Sequence, residues 1–154
     1  MKTQSTIQRI VHSALLMFFG SGLAGHLHAQ AKSLDKTGRA LQGYDPVAFF
    51  TEKKPVKGDP SISSNINGAT YYFSNAGNKA AFDKEPAKYE PQFGGYCAYG
   101  VSRGEFVKIE VDAFQIVDGR LLLQYNKNIR DVFNKDTVGN LITADAKWPT
   151  IPKK

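Results

Sequence analysis

Two two-residue turns constrain the fold of this chain more than any other feature of its sequence. Asn67-Gly68 and Asp118-Gly119 each stand between two runs that are rich in strand-forming residues. Asn-Gly and Asp-Gly favour type I′ turns, whose twist matches that of paired antiparallel strands. The sequence therefore predicts two β-hairpins, formed by residues 61–66 with 69–73 and by residues 113–117 with 120–125.

A helix is expected directly after the first hairpin. Ser74 or Asn75 can cap its start, because short polar side chains accept hydrogen bonds from the first free backbone N–H groups. The helix should end at Glu85, since Pro86 lacks a backbone donor and restricts the residue before it. One further tight turn is expected from Pro86 to Tyr89.

The second hairpin is also followed by helical signals. Asn126 is placed to cap a helix over residues 127–133, and another helix is predicted over residues 137–146. Residues 91–104 contain four glycines and are expected to be irregular. Strands and helices are segregated, which indicates an α+β fold with antiparallel hairpins and short helices in a single small domain. No internal repeat is visible in the sequence.

The first 31 residues have the pattern of a secretory signal peptide. Two basic residues precede a mostly apolar stretch over residues 10–25, and Ala29 and Ala31 form an A-x-A cleavage pattern. We expect cleavage after Ala31, with cleavage after Ala29 as the alternative. The mature domain, residues 32–154, should then be exported to the periplasm or the extracellular space without a stable membrane anchor.

Removal of the signal peptide would also remove every histidine and most of the side chains that bind soft metal ions. All three histidines and both methionines lie in the first 31 residues, and Cys97 is the only cysteine. The mature chain would therefore have neither a soft-metal ligand set nor a histidine general base. Its basic residues are scattered among acidic ones, so nucleic acid is not an expected partner.

The order of several short motifs resembles that of secreted YHS-domain proteins. The motifs are GYDPVAFF at residues 43–50, YYFS at residues 71–74 and GGYCAYG at residues 94–100. The resemblance covers nearly all of the mature chain. It implies a small metal-associated module of the kind found alongside copper-transporting ATPases and oxygenases.

The resemblance also shows where this chain departs from the metal-type members. Those members carry F-C-S-x-x-C after the aromatic strand, which places two thiolates close enough to share one soft ion. The corresponding positions here are Ser74 and Asn78. The thiolate pair is therefore missing, and the sequence assigns no metal ligands.

Candidate ligand-binding residues come from the constrained turn before the first hairpin and from the glycine–aromatic loop. Loops on a rigid scaffold commonly carry binding residues, although each of these side chains also has a purely structural interpretation. If the turn and the loop converge, they form one pocket. The candidates are Tyr44, Asp45, Gly94, Gly95, Tyr96, Cys97 and Tyr99.

The first functional hypothesis is an exported, non-enzymatic YHS-type binding module. Its ligand would be a small molecule or a hard cation held by oxygen atoms, with an association with copper handling implied by the resemblance. The alternatives are a thiol-based redox or copper-handling protein that acts through Cys97, possibly as a homodimer, and a structural or interaction domain. Cys97 itself is predicted to be shielded by the neighbouring aromatic rings and slow to react.

Overall fold

A computed structural model describes residues 31–152 of the chain. The predicted signal peptide therefore lies outside the described residues, except for Ala31. Within residues 31–152, no helix is long and apolar enough to cross a membrane.

Both predicted hairpins are present, and their turns have the expected geometry. Strand β1 (Asp59–Ile66) pairs antiparallel with β2 (Ala69–Phe73), and β3 (Glu110–Val117) pairs antiparallel with β4 (Arg120–Gln124). All four turn residues have positive φ, between 49° and 79°, as a type I′ turn requires. With the short helices around them, the hairpins confirm the α+β class.

Short helices connect and flank the hairpins. They are α1 (Ala48–Thr51), α2 (Ala76–Lys84), α3 (Pro86–Tyr89), α4 (Ala98–Arg103), α5 (Lys127–Phe133) and α6 (Thr137–Lys147). Single 3₁₀ turns lie at Leu41–Gly43, Gln92–Gly95, Asn134–Asp136 and Trp148–Thr150. The helices predicted after each hairpin are confirmed to within one residue at either end.

The prediction that residues 91–104 are irregular is wrong for their second half. Helix α4 forms there, because the Cys97 side chain accepts a hydrogen bond from the Gly100 N–H and so caps the first turn. Gly104 ends the helix with a φ of +85°, a left-handed conformation that glycine adopts without steric cost. Cysteine is not a usual capping residue, and the density of glycines favoured a loop.

The two hairpins repeat one arrangement with a constant offset of 51 residues. Asp59 faces Phe73 across the first hairpin, and Glu110 faces Gln124 across the second. Each strand pair has its register irregularity at the same place, immediately after that first pair. The capping residues that follow, Asn75 and Asn126, keep the same offset.

The repeat extends to the segment before each hairpin. The 3₁₀ turns at 41–43 and 92–95 each contain a run of positive φ values, and each is followed, here with an offset of 52 residues, by a residue whose side chain accepts from the backbone N–H three residues on. Those residues are Asp45 and Cys97, and their backbone N–H groups donate to carbonyl oxygens of the following segment at 2.8 and 3.0 Å. The described chain thus contains two structurally equivalent units, residues 41–84 (the first unit) and residues 92–133 (the second unit).

The equivalence of the units predicts equal contributions from their asparagine caps. The Asn75 side chain accepts from the Asn78 N–H at 2.8 Å, and the Asn126 side chain accepts from the Ile129 N–H at 2.9 Å. Changing either cap to alanine should lower the free energy of unfolding by about 1 kcal/mol, measured by urea denaturation. Lys127→Ala, on the exposed first turn of α5, is the control; losses at the caps no larger than at Lys127 would contradict the prediction.

Candidate functional site

The carboxylate of Asp45 is fully buried and lies at the centre of a hydrogen-bond network. Oδ1 accepts from the backbone N–H groups of Val47 and Ala48 at 2.8 and 3.3 Å, which fixes the start of α1. Oδ2 accepts from the N–H and hydroxyl of Ser74, both at 2.8 Å, and from the Asn78 amide at 2.7 Å. We call Asp45, Ser74 and Asn78 the Asp45 clasp, because they tie the turn before α1 to the start of α2.

The Asp45 clasp does not fit a soft metal ion. Ser74 and Asn78 occupy the positions where the resemblance expects thiolates, and both donate hydrogen bonds to the carboxylate instead. Neither side chain offers sulfur, and both carboxylate oxygens already accept protein donors. Within the described part of the chain, no group of three His, Cys, Asp or Glu side chains could hold a metal ion.

Cys97 was predicted to be a partly buried, shielded thiol; the residue is fully buried, with 1% of its surface exposed. Its S–H donates to the Gln124 side-chain oxygen at 3.3 Å, and its sulfur accepts from the Gly100 N–H at 3.4 Å. The same Gln124 oxygen accepts from the Tyr99 N–H at 3.1 Å. The thiol therefore has a structural role in the second unit, where it takes the place that Asp45 has in the first.

Two of the predicted tyrosines lie beside basic side chains. The Lys57 ammonium is 4.2 Å from the centre of the Tyr44 ring, and the Arg103 guanidinium is 5.1 Å from that of Tyr99. Arg103 also donates to the Tyr99 hydroxyl at 3.2 Å. Among the described residues, no hydrogen bond joins the 44–45 turn to the 94–99 loop.

The glycine–aromatic loop instead contacts the start of the described chain. The Ser33 N–H donates to the Gly94 carbonyl at 2.8 Å, and the Tyr96 hydroxyl donates to the Lys32 carbonyl at 3.3 Å. Gly94 has a φ of +60°, and a Cβ there would lie 2.1 Å from the Ala31 carbonyl oxygen. Gly95 follows with a φ of +85°. The loop therefore serves as a docking surface for residues 31–33.

This contact makes Gly94 more sensitive to substitution than a glycine that has no atoms near the position of an added Cβ. Gly94→Ala should lower the free energy of unfolding by more than about 2 kcal/mol, because it adds a backbone clash to the cost of a positive φ. Gly119→Ala is the matched control, since Gly119 has a φ of +74° and nothing near its would-be Cβ. Equal losses in urea denaturation of protein that retains Ala31 would show that the contact is unimportant.

A cavity of about 270 Å³ is lined mainly by the start of the described chain, the segment that links the two units, the second unit and the C-terminal segment. Gly94 is the one predicted site residue among those that line it; the others lie elsewhere. Strand β2 contributes Tyr71, and the second unit contributes Phe93 and Arg120. The walls also include Lys32, Glu90, Asp145 and Trp148.

One side of the cavity is organised by Glu90. Its Oε1 accepts from the Lys32 ammonium at 3.3 Å and from the Tyr71 hydroxyl at 3.2 Å. Burial, together with the nearby Glu90 carboxylate, raises the pKa of the Tyr71 phenol above its ordinary value. Tyr71 therefore remains a hydrogen-bond donor at physiological pH.

Arg120 organises the other side of the cavity. Its two terminal nitrogens donate to the Asp145 carboxylate at 2.9 and 2.6 Å, a bidentate pair, and its Nε donates to the Gln92 side chain at 3.0 Å. The guanidinium lies 5.6 Å from the centre of the Phe93 ring. Its hydrogen bonds to Asp145 raise the pKa of Arg120, so the group stays charged.

Sequence reasoning missed most of the cavity. Its charged residues are Lys32, Glu90, Arg120 and Asp145, which lie far apart along the chain in segments without a recognisable motif. Trp148, the only tryptophan, was interpretable as a packing residue of the C-terminal segment, and its ring does pack 5.9 Å from that of Phe93. That single tryptophan was the one signal that could have drawn attention to this surface.

Comparisons of the chain with protein-family models, with curated proteins and with solved structures find no match. The geometry of residues 31–152 is therefore what supports a function. It includes a cavity with charged and aromatic walls, and it places Asp45 and Cys97 in hydrogen-bond networks.

Proposed function

We propose that this protein is an exported, non-enzymatic binding module of the YHS type, and that it holds a small ligand in the cavity beside Tyr71, Phe93 and Trp148. The observation that carries the proposal is the cavity itself, whose walls combine aromatic rings with fixed charged groups. Binding sites in proteins are typically concave, with apolar walls and a few placed polar groups.

The surroundings of the most reactive side chains support a binding role better than a catalytic one. Asp45 and Cys97 are buried, and their polar atoms already take part in hydrogen bonds within the protein. A nucleophile or general base must instead reach the atom on which it acts. For the same reason, the thiol-based redox and copper-handling alternative receives less support than ligand binding in the cavity.

The fluorescence of Trp148 offers a direct test, because it is the only tryptophan and it lines the cavity. The purified exported protein would be titrated with a library of small polar molecules, including amino acids, carboxylates and amines. We expect at least one compound to change the emission saturably, and Glu90→Gln to weaken that response. Glu105→Gln, at an exposed site outside the cavity, is the control. No saturable response across the library would contradict the proposal.

A further inference from the structure

Resting on the proposed function, we infer that the ligand is a small zwitterion, a molecule with one ammonium and one carboxylate group, of the class of free amino acids. The cavity carries two cationic and two anionic side chains, each cation paired with a carboxylate. Its charged groups are Lys32, Glu90, Arg120 and Asp145.

The charge balance of the walls favours a ligand without net charge. In protein that retains Ala31, Lys32 with Glu90 and Arg120 with Asp145 form two ion pairs, so the lining is formally neutral. A ligand with a single charge would face a carboxylate or a cation of its own sign with no compensating group. A zwitterion can place its carboxylate toward a cation and its ammonium toward a carboxylate, leaving each charge matched.

The donors and acceptors of the cavity walls that have no partner among the described residues also match a zwitterion. Both protein donors to Glu90 use Oε1, and Oε2 accepts nothing from the described residues. Lys32 donates to Glu90 and to the Ile66 carbonyl at 3.3 Å each, which leaves one of its three N–H groups. Arg120 uses three of its five N–H groups, so two remain. The ligand ammonium would bind Glu90, and the ligand carboxylate would bind the free N–H groups of the two cations.

The remaining walls indicate a ligand of modest size with an apolar part. Phe93 and Trp148 present aromatic rings, and their centres are 5.9 Å apart. At about 270 Å³ the cavity is smaller than the sites typical of drug-sized ligands, which begin near 300 Å³. A single amino acid with an apolar side chain satisfies both the charge pattern and the size.

Three matched probes separate the charge classes in calorimetric titrations of protein that retains Ala31. L-Phenylalanine is the zwitterion, 3-phenylpropionate keeps only the carboxylate, and 2-phenylethylamine keeps only the ammonium. We expect phenylalanine to bind at least about tenfold more tightly than either analogue. Glu90→Gln should abolish the preference over 3-phenylpropionate, whereas Glu90→Asp and the control Glu105→Gln should retain it, with thermal unfolding used to verify that each variant is folded.

The failure of this inference is distinguishable from the failure of the proposed function. If 3-phenylpropionate or 2-phenylethylamine binds as tightly as phenylalanine, and Glu90→Gln weakens that binding, the zwitterion is wrong but the cavity is a binding site. If none of the three binds, the inference is also overturned. The Trp148 fluorescence screen then decides separately whether the cavity binds any small molecule.

Discussion

Replacing Asp45 with asparagine is expected to lower the free energy of unfolding by about 3 kcal/mol, although the two side chains have almost the same shape. The carboxylate is fully buried and accepts five hydrogen bonds, divided between its two oxygens. Asparagine has one oxygen, so its NH₂ group would face N–H or O–H donors on one side of the residue. Those donors would remain buried without an acceptor, which costs more than the loss of one exposed bond.

Urea denaturation of the wild type and the variant measures this loss. Asp131→Asn is the matched control, because the Asp131 side chain is 72% exposed and its nearest cation is 4.0 Å away. That control should change the stability by less than about 0.5 kcal/mol. If Asp45→Asn were as mild as Asp131→Asn, the Asp45 clasp could not be a main connection between α1 and α2.

The second large effect concerns the reactivity of Cys97. We expect N-ethylmaleimide to label the thiol at least about 10³-fold more slowly in the folded protein than in urea-unfolded protein at neutral pH. The reagent cannot reach a sulfur that is 1% exposed until the structure around it opens. Labelling followed by mass spectrometry, together with non-reducing gels, gives the rate and detects disulfide-linked dimers.

An exposed cysteine on the same scaffold provides the control for the reagent. The double variant Cys97→Ser with Val138→Cys places a thiol at a side chain that is 70% exposed, and it should label rapidly when folded. Rapid labelling of the wild-type protein, or a dominant disulfide dimer, would contradict the shielded thiol. Either result would favour the redox alternative and a homodimer.

Features of this fold that depend on local backbone geometry could be predicted from the sequence. The turns at Asn67-Gly68 and Asp118-Gly119 can be recognised in the sequence, because type I′ turns tolerate few residue types at positive φ. Asn75 and Asn126 are visible as caps because short polar side chains satisfy the free N–H groups at a helix start. The hairpins and the helices that follow them were therefore predictable within about two residues along most of their length.

Features that depend on contacts between distant segments could not be predicted in this way. The sequence indicated Asp45 as a turn residue, but its bonds to Ser74 and Asn78 span 29 and 33 residues. The cavity brings together residues that are spread between positions 31 and 148 of the chain, which no local pattern encodes. Its partners Arg120 and Asp145, for example, lie 25 residues apart.

The repetition of the two units could not be recognised in the sequence for a related reason. The two units share residue types mainly where the backbone demands them, such as the turn glycines and the asparagine caps. Elsewhere the same position is filled by different chemistry, as with Asp45 and Cys97. Buried positions of equivalent geometry accept any side chain that packs and has its polar atoms satisfied.

The proposed function depends on ligand binding in the cavity. The most direct measurement is a two-dimensional ¹H–¹⁵N NMR titration of the exported protein with L-phenylalanine and with any compound that changes Trp148 emission. We expect saturable shifts centred on the amides of Glu90, Gln92, Phe93, Gly94, Arg120 and Trp148. Shifts centred on Asp45, Ser74 and Asn78 or on Cys97, without changes around the cavity, would contradict it.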